Sequence, residues 1–271
     1  MRIAFIGGGN MATALISRLY ASRHNVDRVQ VGDPGEGVRE RLQKHWPVAC
    51  FKNAADAIKG MNAIVLAVKP QVLPSVLEEI GSLVSHDQLV ISIVAGIPTS
   101  QIAAKLKFDP PIVRTMPNTP ALIGLGITGM YARVNCSLAQ RELTQNLMES
   151  AGEVVWLDRE SLLDVVTAVS GSGPAYFYYL TECLRLAGTQ LGLSADVAAK
   201  LAVHTAHGAS AMAVQSDVDI TELRRRVTTP GGTTEAALEI LNAHHFKELI
   251  DMAITAATRR GQELANDGTE L

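Results

Sequence analysis

The chain opens on an apolar run, RIAFI (2–6), that breaks directly into GGGNMA (7–12). A short run rich in β-branched and aromatic residues suits a buried strand, and glycine ends it where a turn must follow. Gly7, Gly9 and Ala12 match the spacing G-x-G-x-x-A, which has a separate steric reason at each place. Gly7 permits the tight turn, Gly9 lets a ligand come close to the backbone, and small Ala12 lets the next helix lie close on the strand. A pyrophosphate at such a turn would meet the free N–H groups and the positive dipole end of the helix. Taken alone the glycines make only a tight turn. Placed between a buried strand and a helix, they point to dinucleotide binding.

The pattern continues as β-α-β units around a parallel sheet. Strand-like runs recur at RVQVG (28–32), PVACF (47–51), NAIVLAV (62–68), QLVISIV (88–94) and PIVRT (111–115), with helical patterns between them. GITGMYA (126–132) and EVVWL (153–157) flank a helical stretch that starts near Ser137, so the sheet should hold about eight strands. Fully apolar runs suit strands covered on both faces. From about residue 161 the strand signal stops and helices alone remain. Pro174 suits the first turn of one helix and Gly192 its end, while Ser194 reads as the next N-cap. Asp219 with Glu222 reads as a capping box, a last helix covers 246–266, and the tail after Leu264 is expected to fray. The fold class is therefore α/β, an N-terminal Rossmann-type sheet domain over 1–160 followed by an all-α domain over 161–271. A length of 271 residues fits two domains at about 150 residues each. The stretch AAKLAVHTAHGASAMA (198–213) is rich in small residues that let helices pack closely, as an oligomer interface often requires.

Charge and composition narrow the function. A formal net charge of −3 gives no long-range attraction for nucleic acid or an acidic membrane surface, so neither is an expected partner. The longest apolar runs are strand-sized, short of the roughly 18 residues a membrane span needs, and glycines interrupt the N-terminus where a signal peptide would continue. Three widely spaced cysteines, Cys50, Cys136 and Cys183, form no framework and suggest a reducing, cytoplasmic home. His204 and His207 stand three apart on a helical stretch without a third ligand nearby, so no metal site is expected.

Further motifs sit at strand ends, where ligands of open α/β sheets bind. The second strand ends at Asp33, whose carboxylate would bond a ribose 2′-hydroxyl and favour NADH. Pro34 and Gly35 offer a second reading by swinging Asp33 away, and Arg39 or Arg41 a third by meeting a 2′-phosphate. AVKP (67–70) and VAGIP (94–98) follow the next strands, and Lys69 reads either as a ribose contact or as a solvated loop lysine. TMPNTPA (115–121) is a proline-stiffened loop whose Asn118 suits an amide contact or a plain turn. In the helical half, VSGSGPAY (169–176) and RVTTPGGTTEAA (226–237) precede helix starts. Each can bind a carboxylate through N–H and hydroxyl donors, or supply ordinary caps through Ser172 and Thr233.

GGGNMA, AVKP, VAGI, MPNTPA, SGSGPAY and TPGGTTEAA, in this order over residues 7–237, resemble the pyrroline-5-carboxylate reductase family. The resemblance implies an NAD(P)H-dependent oxidoreductase that reduces 1-pyrroline-5-carboxylate to L-proline, the last step of proline biosynthesis. It implies a helical domain that dimerises through intertwined helices, dimers that assemble into a homodecamer, and a substrate site shared between chains. By the same resemblance Ile6, Gly7, Gly8, Gly9, Asn10 and Met11 line the pyrophosphate. Ala67, Val68, Lys69 and Pro70 follow at the adjoining ribose, Asn53 on the adenosine side, and Ala95, Met116 and Asn118 at the nicotinamide end. Thr229, Gly232, Thr233 and Thr234 hold the substrate, with Thr234 as the catalytic residue beside the ring nitrogen. Asp33 stands where the family often has a small polar residue suited to NADPH, which leaves NADH open beside NADPH, and Thr229 where serine is frequent.

The reaction so implied is direct hydride transfer from the nicotinamide to the imine carbon. The protonated imine is the stronger electrophile, and rate comes chiefly from proximity and orientation. Two rivals keep the fold and change the function. One is a non-catalytic NAD(P)-binding redox sensor. The other is a related reductase or 3-hydroxyacid dehydrogenase with a lysine or aspartate acid/base, for which Lys200, the one lysine between 160 and 246, is poorly placed.

Overall fold

A computed structural model describes residues 1–22 and 27–267. The chain falls into two compact units, Met1–Ser172 with Ala257–Leu271, and Gly173–Ala256. The first contains β1 (Arg2–Ile6), α1 (Asn10–Ala21), β2 (Arg28–Gly32), α2 (Glu36–His45), β3 (Ala49–Phe51), α3 (Ala54–Ala57), β4 (Ala63–Leu66), α4 (Leu73–Ile80) and β5 (Leu89–Ser92). It continues through α5 (Thr99–Lys105), β6 (Ile112–Met116), β7 (Gly126–Ala132), α6 (Leu138–Glu149), β8 (Gly152–Trp156) and α7 (Leu162–Val166).

One sheet joins the strands in the order β3-β2-β1-β4-β5-β6-β7-β8. In β1, Ile3 pairs in parallel with Val29 on one side and Ala63 on the other. Successive side chains of a strand point to opposite faces, and here both faces are covered. Ile3, Phe5, Val29, Val31 and Val65 pack with Leu15 and Leu19 of α1 and Leu147 of α6. Ala4, Ile6, Ile64 and Leu66 pack with Leu73, Leu77 and Ile80 of α4 and Ile102 of α5. This two-sided burial is why the strands read as continuous apolar runs rather than alternating ones. Full burial of a side chain such as Leu15 or Leu77 contributes about 1.5–3 kcal/mol.

The strands from β1 to β6 are parallel, as the sequence pattern implies, but β7 runs antiparallel to β6, with Val113 opposite Ala132. A parallel neighbour needs a crossover of about a dozen residues or more, and the segment from Met116 to Gly126 holds only the 3₁₀ turn Thr119–Ile123. β8 then lies parallel to β7, because α6 supplies a crossover between them. Ser137 and Gln140 form a reciprocal capping box at the start of α6.

α7 leads into a π turn, Thr167–Gly171. Ser172 has helical dihedrals (φ −83°, ψ −21°), and its N–H bonds the Thr167 carbonyl at 2.8 Å. It therefore does not act as the N-cap expected of it, because a cap needs extended backbone.

In the second unit α8 (Gly173–Gln190) carries Pro174 in its first turn, and Gly192 beyond its end has φ +107°. Ser194 caps α9 (Ala195–Gln215) by accepting from the Val197 N–H at 3.4 Å. α8 approaches α9 closely: a Cβ on Gly188 would lie 3.5 Å from that of Ala198. Asp219 caps α10 (Ile220–Arg226) by accepting from the Thr221 N–H at 2.8 Å. The expected capping box is incomplete, because Glu222 pairs instead with Arg225 at 2.6 Å and Arg226 at 3.0 Å. α11 (Thr233–Ala243) follows, and then α12 (Phe246–Asp267), which belongs to this unit up to Ala256 and to the first unit from Ala257. α12 runs into the tail expected to fray, and the remainder of that tail lies outside the described residues. Phe177, Tyr178, Tyr179, Leu201 and Ile240 are exposed in this unit. Among the described residues no helix is long and apolar enough to cross a membrane.

Candidate active site

The strand order reverses between β1 and β4, which opens a crevice beyond their carboxyl ends. A groove of about 520 Å³ lies there. Ile6, Gly7 and Gly9 line it from the turn after β1, Asp33 from the end of β2, Asn53 from the end of β3, and Ala67, Val68 and Lys69 from the end of β4. Eight of the residues expected to hold the cofactor thus meet in one place. Gly8, Asn10, Met11, Pro70, Ala95, Met116 and Asn118 do not line this groove.

The three glycines after β1 have different reasons. Gly7 has φ +98°, donates its N–H to Gly32 at 2.8 Å, and would place a Cβ 2.5 Å from the Ala67 carbonyl oxygen. No side chain is admitted there. A Cβ at Gly8 would lie 2.5 Å from Val38 Cγ1. Gly9 meets nothing within 4 Å, so its glycine is not demanded by the protein's own packing. That open space at the N-cap of α1 is the room a pyrophosphate requires. No side chain caps α1 and no acidic residue sits in its first turn, so its N–H groups and dipole stay available to an anion. The turn fits a dinucleotide. Asn10 and Met11 form the first turn of α1.

Asp33 is not swung away from this turn. Its carboxylate accepts from the N–H of Gly8 at 2.7 Å and of Gly35 at 2.8 Å. Arg39 donates to the carbonyls of Asp33 and Pro34, both at 2.8 Å, and Arg41 to that of Gly8 at 3.2 Å. Asn53 lines the groove while its own amide caps α3, accepting from the Asp56 N–H at 2.8 Å and donating to the Asp56 carboxylate at 2.9 Å. Lys69 is exposed on the groove wall, and Pro70 opens the 3₁₀ turn that follows it.

Sequence reasoning missed part of this wall. Lys52 and Ala54 flank Asn53 and line the groove, and the strand-end rule applied to β3 would have found them. Ser75, Val76 and Glu79 line it from one face of α4. The Glu79 carboxylate also accepts from the Ala55 N–H at 2.7 Å, which holds α4 to the start of α3.

Beyond β5 and β6 the loops are tied to each other. Ala95 follows β5 and precedes Gly96, which has φ +78°. Asn118, 8% exposed, accepts from the Ile127 N–H at 3.0 Å and donates to Ser170 Oγ at 3.2 Å. A Cβ on Gly171 would lie 2.5 Å from Met116 Cε. The MPN loop and the VSGSG segment therefore pack together, and the Asn118 amide is bonded within the protein.

A buried ionic cluster nearby was not foreseen. Arg114, 4% exposed on β6, meets Glu160 at 3.4 Å and Asp164 at 3.1 Å. Glu160 also accepts from the N–H of Thr99 at 2.6 Å and from its hydroxyl at 2.8 Å. The one charged residue in the apolar strand PIVRT was the available signal.

In the second unit, the Gly232 N–H bonds the Thr229 carbonyl at 2.9 Å, and Gly231 has φ +71° after Pro230. This is the geometry of a Pro-Gly type II turn. Thr233 is the first residue of α11 and Gly232 its N-cap, so Thr233 does not cap the helix. Glu235 instead reaches back and accepts from the Gly231 N–H at 2.7 Å. Thr229 is exposed and Thr234 half-buried, and the helix end they flank favours a carboxylate. Among the described residues no three His, Cys, Asp or Glu side chains cluster as metal ligands, and His204 and His207 are exposed on α9.

Comparison with known proteins adds three findings. The profile of the pyrroline-5-carboxylate reductase dimerisation family matches residues 160–264, and that of the coenzyme F420-dependent NADP oxidoreductases matches residues 2–96. A pyrroline-5-carboxylate reductase of Pseudomonas aeruginosa is 44% identical over 264 residues, which covers 97% of each chain. Among solved structures, a pyrroline-5-carboxylate reductase from Coxiella burnetii superposes with a TM-score of 0.91 at 35% identity, covering 97% of this chain and 98% of that one. The Plasmodium falciparum pyrroline carboxylate reductase with NADP bound superposes with a TM-score of 0.86 at 27% identity, covering 98% of each chain.

Proposed function

The chain belongs to the pyrroline-5-carboxylate reductase family, and on that premise we infer that it reduces 1-pyrroline-5-carboxylate to L-proline with NAD(P)H, the last step of proline biosynthesis. The open turn at Gly9, set at the reversal of the strand order, is the observation that carries the reading to this chain's own residues. Ile6 to Met11 and Ala67 to Pro70 hold the nucleotide, with Asp33 and Asn53 on its adenosine side and Ala95, Met116 and Asn118 toward the nicotinamide end. Asn118 serves that end by holding the MPN loop to Ser170. When bound, the reduced nicotinamide supplies the hydride.

The chain's own part is to hold and orient the imine. Thr229, Gly232 and Thr233 bind its carboxylate at the N-terminus of α11, where N–H groups and the helix dipole favour an anion. The Thr234 hydroxyl orients the ring nitrogen. Rate comes from proximity and orientation rather than from a strong acid or base. We assign nucleotide binding to residues 1–160, and dimerisation with substrate binding to 161–271; the dimerisation profile over 160–264 supports this division. The dimerisation profile and the exposed aromatic and aliphatic side chains of the helical unit support a homodimer. By the family resemblance we propose that the dimers assemble into a homodecamer and that the protein works in the cytoplasm.

The test is oxidation of NADPH and NADH by purified protein with pyrroline-5-carboxylate, followed by loss of nicotinamide absorbance. Turnover with formation of proline is expected, and nucleotide binding without turnover would overturn the reading. Thr234→Ala should lower kcat/KM by roughly tenfold or more, as expected for a lost orienting hydrogen bond. An unchanged steady-state rate would remove Thr234 from its role.

A further inference from the structure

We propose that Asp33 determines nucleotide specificity in this chain: its carboxylate accepts the adenosine ribose 2′-hydroxyl, admitting NADH and weakening NADPH. The inference rests on the proposed reductase function and names the residue that divides the two cofactors.

Three observations carry it. Asp33 lines the groove at the carboxyl end of β2, beside Gly7 and Gly9. Its carboxylate is held in place by two backbone donors, the N–H of Gly8 at 2.7 Å and of Gly35 at 2.8 Å. A carboxylate has about four lone-pair sites, so these two bonds leave acceptor capacity for a hydroxyl. The position is also fixed from behind. Gly8 cannot move toward α2, because Val38 and Leu42 already pack against it. Arg39 bonds the carbonyls of Asp33 and Pro34, and Arg41 that of Gly8, so both guanidinium groups brace the two turns that present the carboxylate.

The consequence follows from charge. A ribose 2′-hydroxyl has a proton to give, and a fixed carboxylate is its best acceptor. A 2′-phosphate has none to spare and brings a second anion to the same place. A site specialises by such repulsion as much as by attraction. Arg39 and Arg41 are bonded to backbone carbonyls beside Asp33, and Lys52 and Lys69 line the same groove, so positive charge nearby offsets part of this repulsion.

The experiment is a calorimetric titration of the full-length protein with NADH and with NADPH, without imine, for the wild type, Asp33→Ser and Asp33→Asn. The readout is the ratio of the two dissociation constants. Loss of one charge-assisted hydrogen bond and of one repulsion should shift that ratio toward NADPH by about tenfold or more in Asp33→Ser. Asp33→Asn should move it the same way by less, since the amide oxygen still accepts from one N–H. A ratio unchanged within about twofold overturns the proposal. So does equal weakening of both nucleotides, which would make Asp33 only a brace of the glycine turn. Where Asp33→Ser fails to fold, Asp33→Asn provides the ratio. Imine turnover measured in parallel separates the two inferences. Absent turnover with either cofactor overturns the reductase reading and leaves the ratio meaningful, and an unmoved ratio with intact turnover overturns only the assignment of Asp33.

Discussion

Replacing Arg114 by methionine tests whether the first unit depends on its buried ionic cluster. The guanidinium is 4% exposed and faces two carboxylates, Asp164 at 3.1 Å and Glu160 at 3.4 Å. Methionine fills much of the same volume without charge, so the cost comes from the carboxylates left behind. Breaking a buried pair from one side costs about 3–5 kcal/mol, because desolvated charge remains without a partner. Two features pull the value toward the lower end. The Glu160 side chain is 21% exposed and keeps part of its hydration, and Thr99 still donates two hydrogen bonds to it. About 3 kcal/mol is therefore expected. For a unit of this size that is a fall in Tm of about 6–12 °C. Calorimetric melting of Arg114→Met against the wild type measures it, and Asp164→Asn in the same background should recover about 1 kcal/mol or more by neutralising one orphaned charge. NADPH binding to the folded variant should persist, because Arg114, Glu160 and Asp164 lie off the groove. A loss below about 1 kcal/mol, or no recovery in the double variant, would refute the reasoning that the cluster is tightly coupled.

Gly9→Trp should abolish nucleotide binding, seen as loss of nicotinamide fluorescence enhancement, while leaving Tm close to wild type, because its Cβ would meet no protein atom within 4 Å. A variant that still binds would place the pyrophosphate elsewhere. The Thr221 backbone N–H beside Asp219 and the Arg225 guanidinium beside Glu222 hold those carboxyls below the usual carboxylate range. Their folded values lie below their unfolded ones, so their stabilisation is complete above the ordinary carboxylate range near pH ~4 and is lost as pH falls through the lowered values. Asp219→Asn with Glu222→Gln should flatten the acid limb of Tm against pH, and an unaltered slope would rule these groups out. Burial pushes the thiols of Cys50 and Cys136 up, so both should react slowly with iodoacetamide at neutral pH in the native protein and readily after unfolding. Peptide mapping of the modified sites reads this, and rapid native labelling of either thiol would contradict its burial.

The central strands were legible because each is a local run whose composition reports burial on both faces. RIAFI, RVQVG and GITGMYA occupy the observed strands residue for residue. The glycine turn was legible for the same reason, since Gly7 must take φ +98° in whatever fold contains that turn. Helix ends were read less well. Ser172 and Thr233 have the right residue type for caps, but a cap also needs extended backbone, and both residues lie inside helical turns. The antiparallel turn of β7 could be inferred only by weighing the length of its connection, which the run of apolar residues does not report.

By itself, then, the sequence determined the order of strands and helices, the turn that fits a dinucleotide, and the family to which the chain belongs. These depend on dihedral preferences and burial patterns within a few neighbouring residues. Only the tertiary structure decided what the polar groups do. It bonded Asp33 to Gly8, Asn118 to Ser170, and Arg114 to Glu160 and Asp164. Each of those bonds joins positions from 25 to 52 residues apart. A buried polar side chain must find a partner, but which partner it finds depends on the strands and helices that packing brings together, and no local pattern records that choice.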